Sequence, residues 1–163
     1  MSRTSERATA TWQKTCRIKK VIQTDRFGCG VACLAMITGK SYTSARDVFI
    51  NNELCRNGKR RFSTNFRQLR SALAACDIAT SLERWKGWEG FDGIGIIAVN
   101  SAPGTAAPGD WHWVVAETHK QFDVVLHDPD YSLPSFKGKR PPGVTCHDFT
   151  NYEPRASWIR VHL

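Results

Sequence analysis

Residues 23–38, QTDRFGCGVACLAMIT, constrain this chain more than any other stretch: a polar turn bracketed by glycines opens directly into an uncharged apolar run. The run predicts a buried helix that begins near Cys29 and stops at Gly39, a residue type suited to the left-handed position after a helix. Cys29 then sits where unpaired backbone amides and the positive end of the helix dipole favour a thiolate. Gly28 and Gly30 leave no side chain beside the sulfur, so a substrate carbonyl can approach and the Cys29 amide can point at its oxygen. Gln23, six positions upstream, is a neutral side-chain donor suited to a second contact with a developing oxyanion. A carboxylate in its place would repel that charge.

A nucleophile needs a base, and the base needs a group to orient it. WHWVVAE at 111–117 and FDVVLHDPD at 122–130 read as strands, with the polar ETHKQ at 117–121 as the hairpin turn between them. Antiparallel pairing puts His112 near the start of one strand and Asp128 near the end of the next, at the same edge of the sheet. Strand alternation turns His127 to the opposite face from Asp128. Trp111 and Trp113 read as packing residues, one of which can wall a cleft. Each polar residue also has a plain structural reading: a histidine between tryptophans packs in a core, Asp-Pro opens turns, and Gln23 can simply end a strand.

Gln23-x5-Cys29-Gly-x-Ala-x-Leu-Ala-Met, then His112-Trp-Val-Val, then His127-Asp128-Pro129, resembles the papain-like peptidases of the bacteriocin-processing (double-glycine leader peptidase) family and its stand-alone relatives. The resemblance spans residues 21–129 and rests on three blocks in the right order. It implies a papain-like α+β fold, with Cys29 as nucleophile, His112 as general base and acid, Asp128 as orienter of the imidazole and Gln23 in the oxyanion hole. It implies no cofactor. Many relatives carry Asp directly before the nucleophile where this chain has Gly28, and no transporter domain follows.

With 163 residues the chain has the length of one domain, able to enclose a core without metals or disulfides. Residues 1–15 read as a loose arm that Trp12 can anchor, and 16–163 as a single peptidase-like domain. The first twenty residues are polar and basic, unlike a secretory signal, and no apolar run approaches the roughly 20 residues needed to span a bilayer. The expected location is therefore cytoplasmic, with delivery into a host or rival cell as a second expectation. In such a compartment the six cysteines read as free thiols, Cys33 and Cys76 as core residues. A metal site from Cys29, Cys33 and His112 lacks a CxxC pair or second ligand pair, so no metal is expected. The net charge of +8 concentrates in RNGKRR at 56–61 and KGKR at 137–140. Such patches suit an acidic protein partner, nucleic acid or an anionic membrane surface, or simply a solvated face.

Along the chain, 16–22 alternates charged and aliphatic residues as a short strand would. Thr43 or Ser44 is placed to cap a second helix through about Asn51, and Thr64 a third over 65–75. Strands are expected at 78–82, 93–99, 113–118 and 122–127, with 158–162 closing the sheet. The glycine- and proline-rich 100–110 reads as a loop able to line or cover a cleft. Helices first and antiparallel strands second give an α+β architecture, the nucleophile helix packed on the sheet. The function this supports is a cysteine peptidase acting on a protein or peptide. The same residues would serve deamidation or acyl transfer, and a non-enzymatic basic adaptor or nucleic-acid-binding protein is the contrasting reading.

Overall fold

The computed structural model describes residues 12–100 and 111–163. Helix α1 spans Cys29–Thr38 and ends on Gly39 at φ 73°, a left-handed conformation that glycine adopts without strain. Every residue from Gly30 to Ile37 is buried, so the helix needs partners all round. It finds them in helix α2 (Tyr42–Asn51), helix α3 (Phe66–Ala75) and strand β3 (Trp111–His119).

Both later helices start under different caps from those the sequence suggested. Ser41, ahead of both Thr43 and Ser44, accepts from the Ser44 amide, which places Tyr42 at the first helical position. Asn65 caps α3 in place of Thr64, because Gln68 three residues on returns a bond to the Asn65 amide and closes a reciprocal capping box. Thr64 is thereby freed to be buried against α1.

The remaining strands are β1 (Ala79–Arg84), β2 (Ile94–Asn100), β4 (Asp123–His127), β5 (Ser135–Phe136) and β6 (Pro154–His162). They form one sheet with β3 in the order β1-β6-β2-β3-β4-β5, every neighbouring pair antiparallel. Strand β6 does not close an edge as expected but lies between β1 and β2. Six of the seven residues of β2 are buried, so it requires a strand on each side. The β3–β4 hairpin forms, with its turn displaced: Glu117, Thr118 and His119 stay paired, and the chain reverses before Asp123, at φ 65°.

Residues 16–22 are not a strand. The Arg17 and Ile18 amides donate to the carboxylate of Glu117 at 2.8 and 3.2 Å, so a side chain takes the bonds a neighbouring strand would have offered. Ahead of them, residues 12–15 form a helical turn, and the buried Trp12 ring meets Phe136 edge-on. The arm at 1–11 and the 101–110 part of the expected loop lie outside the described residues.

Alternation along the strands builds two layers. Ile96, Ala98, Trp113, Val115 and Ile159 face the helices. Ile97, Val99, Val114, Leu126 and Trp158 face an aromatic layer that includes Phe91, Trp85 and Trp88. Gly95 sits where that layer presses hardest: a methyl group there would lie 2.6 Å from Trp158 and 3.0 Å from Phe91. Gly95→Ala should therefore destabilise the fold by about 1–3 kcal/mol through overpacking. In urea denaturation it should lower the midpoint with the slope unchanged, and a midpoint equal to wild type would show that the rings give way.

Candidate active site

Cys29 is the first residue of α1, with its amide among the donors that no helical carbonyl can satisfy. His112 is the second residue of β3, and Asp128 directly follows β4. The Nε2 of His112 donates to Asp128 Oδ1 at 2.6 Å, leaving Nδ1 free, and the Cys29 side chain is near enough to act on the imidazole electrostatically. All three residues line one cleft of about 690 Å³, together with Gln23, Trp111 and Trp113.

Asp128 is almost wholly enclosed, its side chain 2% exposed. Its Oδ1 also accepts the Asp130 amide at 2.8 Å, and its Oδ2 accepts the Tyr152 hydroxyl at 2.8 Å. Burial alone would raise its pKa, but the bonds from His112, Asp130 and Tyr152 outweigh burial and hold the carboxyl below its usual range. His112 answers in the opposite sense. Burial disfavours its charged form, yet the bonds to Asp128 and Cys29 push the imidazole up to about 10. The arrangement therefore favours an imidazolium between a carboxylate and a sulfur.

Gln23 reaches the cleft, but its amide is occupied. Nε2 donates to the carbonyls of Asp25 and Arg26 at 3.1 and 2.9 Å, closing the turn ahead of Cys29, while Oε1 is buried without a partner. The Gln23 backbone amide bonds Pro129 O at 2.9 Å and ties this turn to the loop after Asp128.

Gly28 and Gly30 do not line the cleft; they make room for protein instead. A Cβ on Gly28 would collide with the Tyr42 hydroxyl, and one on Gly30 with the Thr64 hydroxyl. Tyr42 in turn donates to Asp25 Oδ2 at 2.7 Å, stapling the turn before Cys29 onto α2. This accounts for Gly28 in place of a larger residue. Trp113 is a core residue whose Nε1 donates to Thr64 O at 3.1 Å. Trp111 is the wall, half-buried, with the Arg155 guanidinium 5.3 Å from its ring and its Nε1 unpartnered.

Tyr152 and His147, which also line the cleft, were not visible in the sequence. Tyr152 lies 24 positions beyond Asp128, and nothing in NYEP announces its bond. Elsewhere, His127 faces away from Asp128 and donates to Glu117 at 2.8 Å. Cys16, Glu117 and His127 place donor atoms within 4.8 Å of one another, all buried, a set that could hold a metal ion. The Glu117 carboxylate is already taken by two amides and an imidazole, and burial with Glu117 nearby pushes the Cys16 thiol up to about 12. The cluster works as the clasp that binds residues 16–18 to the sheet.

No protein-family model matches the sequence, and no curated protein does. Among solved structures, the chain is similar to a double glycine motif protease from an AMS/PCAT transporter, solved in complex with the leader peptide. That similarity has 19% identity and a TM-score of 0.56, covering 89% of this chain and 91% of that one. The chain shares with that protease a fold of helices and an antiparallel sheet. At this identity the likeness speaks for the fold alone. No helix among the described residues is long and apolar enough to cross a membrane.

The His112 imidazole should titrate near pH 10 in NMR spectra, and the midpoint should move down in Asp128→Asn, where burial loses its main opponent. Because the folded value exceeds the ordinary 6.5, this pair's contribution to stability is complete below about 6.5 and lost as pH rises through about 10. Wild type should thus lose more stability than Asp128→Asn across that window, and equal losses would show that the pair is uncoupled.

Proposed function

We propose that this chain is a cysteine peptidase that cuts a peptide bond through Cys29, His112 and Asp128. The observation that carries the reading is the imidazole held at 2.6 Å by a buried carboxylate and sharing one cleft of ligand size with a helix-start cysteine that acts on it electrostatically. The Cys29 thiolate attacks the carbonyl carbon, and the oxygen takes the charge against the Cys29 amide. Gln23 supplies a second donor once substrate draws one of its N–H groups from the Arg26 carbonyl. The His112 Nδ1 proton passes to the departing amine as the C–N bond breaks, leaving a thioester on Cys29. Water, deprotonated by the same nitrogen, adds to the thioester and releases the acid and the thiol.

A peptide substrate is supported by the peptide bound to the similar protease. Deamidation and acyl transfer would use the same three residues and differ in what enters the cleft.

Iodoacetamide at mildly acidic pH should label Cys29 first. Burial pushes Cys16 up to about 12 and Cys33 well above the usual thiol range, and Cys146 is raised too. His112→Ala should abolish that selectivity, and uniform labelling in wild type would count against an activated thiol. The activity itself is tested by incubating the protein with a cell proteome and sequencing newly formed peptide N-termini. Cleavages that vanish in Cys29→Ala support peptidase action. Glutamine-to-glutamate changes without cleavage would replace it with deamidation.

A further inference from the structure

The cleft carries two cations that the triad does not use. Arg26 and Arg56 both line it with Cys29, both are exposed, and neither has an ion-pair partner among the described residues. The closest acid along the chain, Asp25, is taken by the Tyr42 hydroxyl and by Arg46. Arg26 stands three positions before Cys29 in the turn closed by Gln23, and its guanidinium lies 5.4 Å from the Phe27 ring. Arg60 covers the same ring at 4.8 Å, which brings the basic 56–61 segment against the turn that presents the nucleophile. Arg26 on the pinned turn before Cys29 and Arg56 on the segment packed against it line the same cleft, and arginine binds a carboxylate in a planar, two-pronged geometry.

We propose, on the basis of the peptidase reading, that this cleft selects peptides bearing Asp or Glu close to the bond that is cut, with Arg26 and Arg56 holding the acidic side chain. A nucleic acid fits less well. Asp128, Asp130 and Glu153 line the same cleft and would repel a phosphate backbone running along it, whereas a peptide needs to satisfy only one charge at the basic end. The preference follows from two arginines that fold-level similarity would not reveal.

The test uses the full chain carrying Cys29→Ala, so that peptides bind without being cut, and captures short degenerate peptides on the immobilised protein. Asp and Glu should be enriched about tenfold over Asn and Gln, the discrimination expected of a charge-assisted pair. The enrichment should disappear with Arg26→Gln and Arg56→Gln together and turn to Lys and Arg with Arg26→Glu and Arg56→Glu. Unchanged circular dichroism melts would confirm that these exposed substitutions leave the fold intact. Capture without acidic enrichment, enrichment that survives the glutamine pair, or no capture at all overturns the proposal. Displacement of bound acidic peptides by short single-stranded DNA, tighter at low salt and lost in the glutamine pair, overturns it in favour of a nucleic-acid groove. Failure of the peptidase reading looks different: acidic peptides would be captured, yet wild type would leave them uncut.

Discussion

The buried carboxylate of Asp128 is the group on which the site depends. Taking an ionised acid out of water is costly, and the structure offsets that cost with three bonds from three places: the imidazole of β3, the amide of Asp130 and the hydroxyl of Tyr152. Removing any one leaves a charge with fewer partners in a setting that water does not reach. That makes the His112–Asp128 pair rigid, because His112 cannot swing away without leaving an unsatisfied acid. Orientation of the base is thus enforced by solvation as much as by packing.

A second layer of constraint acts on Cys29. α1 is enclosed on all sides, so its first residue cannot drift relative to the sheet. The turn before it is fixed from several directions. Tyr42 holds Asp25, Gln23 closes onto Asp25 and Arg26, and the Gln23 amide reaches Pro129 beside the acid. Lys20 adds bonds to the carbonyls of Tyr131 and Leu133 at 2.6 and 2.9 Å. The chain ahead of Cys29 is therefore strapped to the loop behind Asp128, and the two sides of the cleft share one support.

Much of this was legible because it is local. The uncharged run after Gly30 with Gly39 behind it, and the paired strands with His112 and Asp128 at matching ends, are patterns of period and spacing that need no knowledge of distant contacts. What escaped was non-local. Glu117 looks like a turn residue until its carboxylate is seen replacing a strand for Arg17 and Ile18. The glycines beside Cys29 suggested open space for substrate, whereas the hydroxyls of Tyr42 and Thr64 fill it. Tyr152 carries no signal at all, since a single hydroxyl bond across 24 positions leaves no periodic trace.

The place of β6 has a consequence for how the molecule comes to maturity. This strand lies between β1 and β2, and β1 pairs with no other strand, so the sheet stays split until residues 154–162 have joined it. Tyr152, the anchor of the acid, enters with the same segment. On a ribosome the helix that starts at Cys29 emerges well before Tyr152, so the support of Asp128 arrives after the thiol is already in place. Late insertion of an internal strand thereby makes the cleft around Cys29, His112 and Asp128 one of the last features that the folding chain can complete.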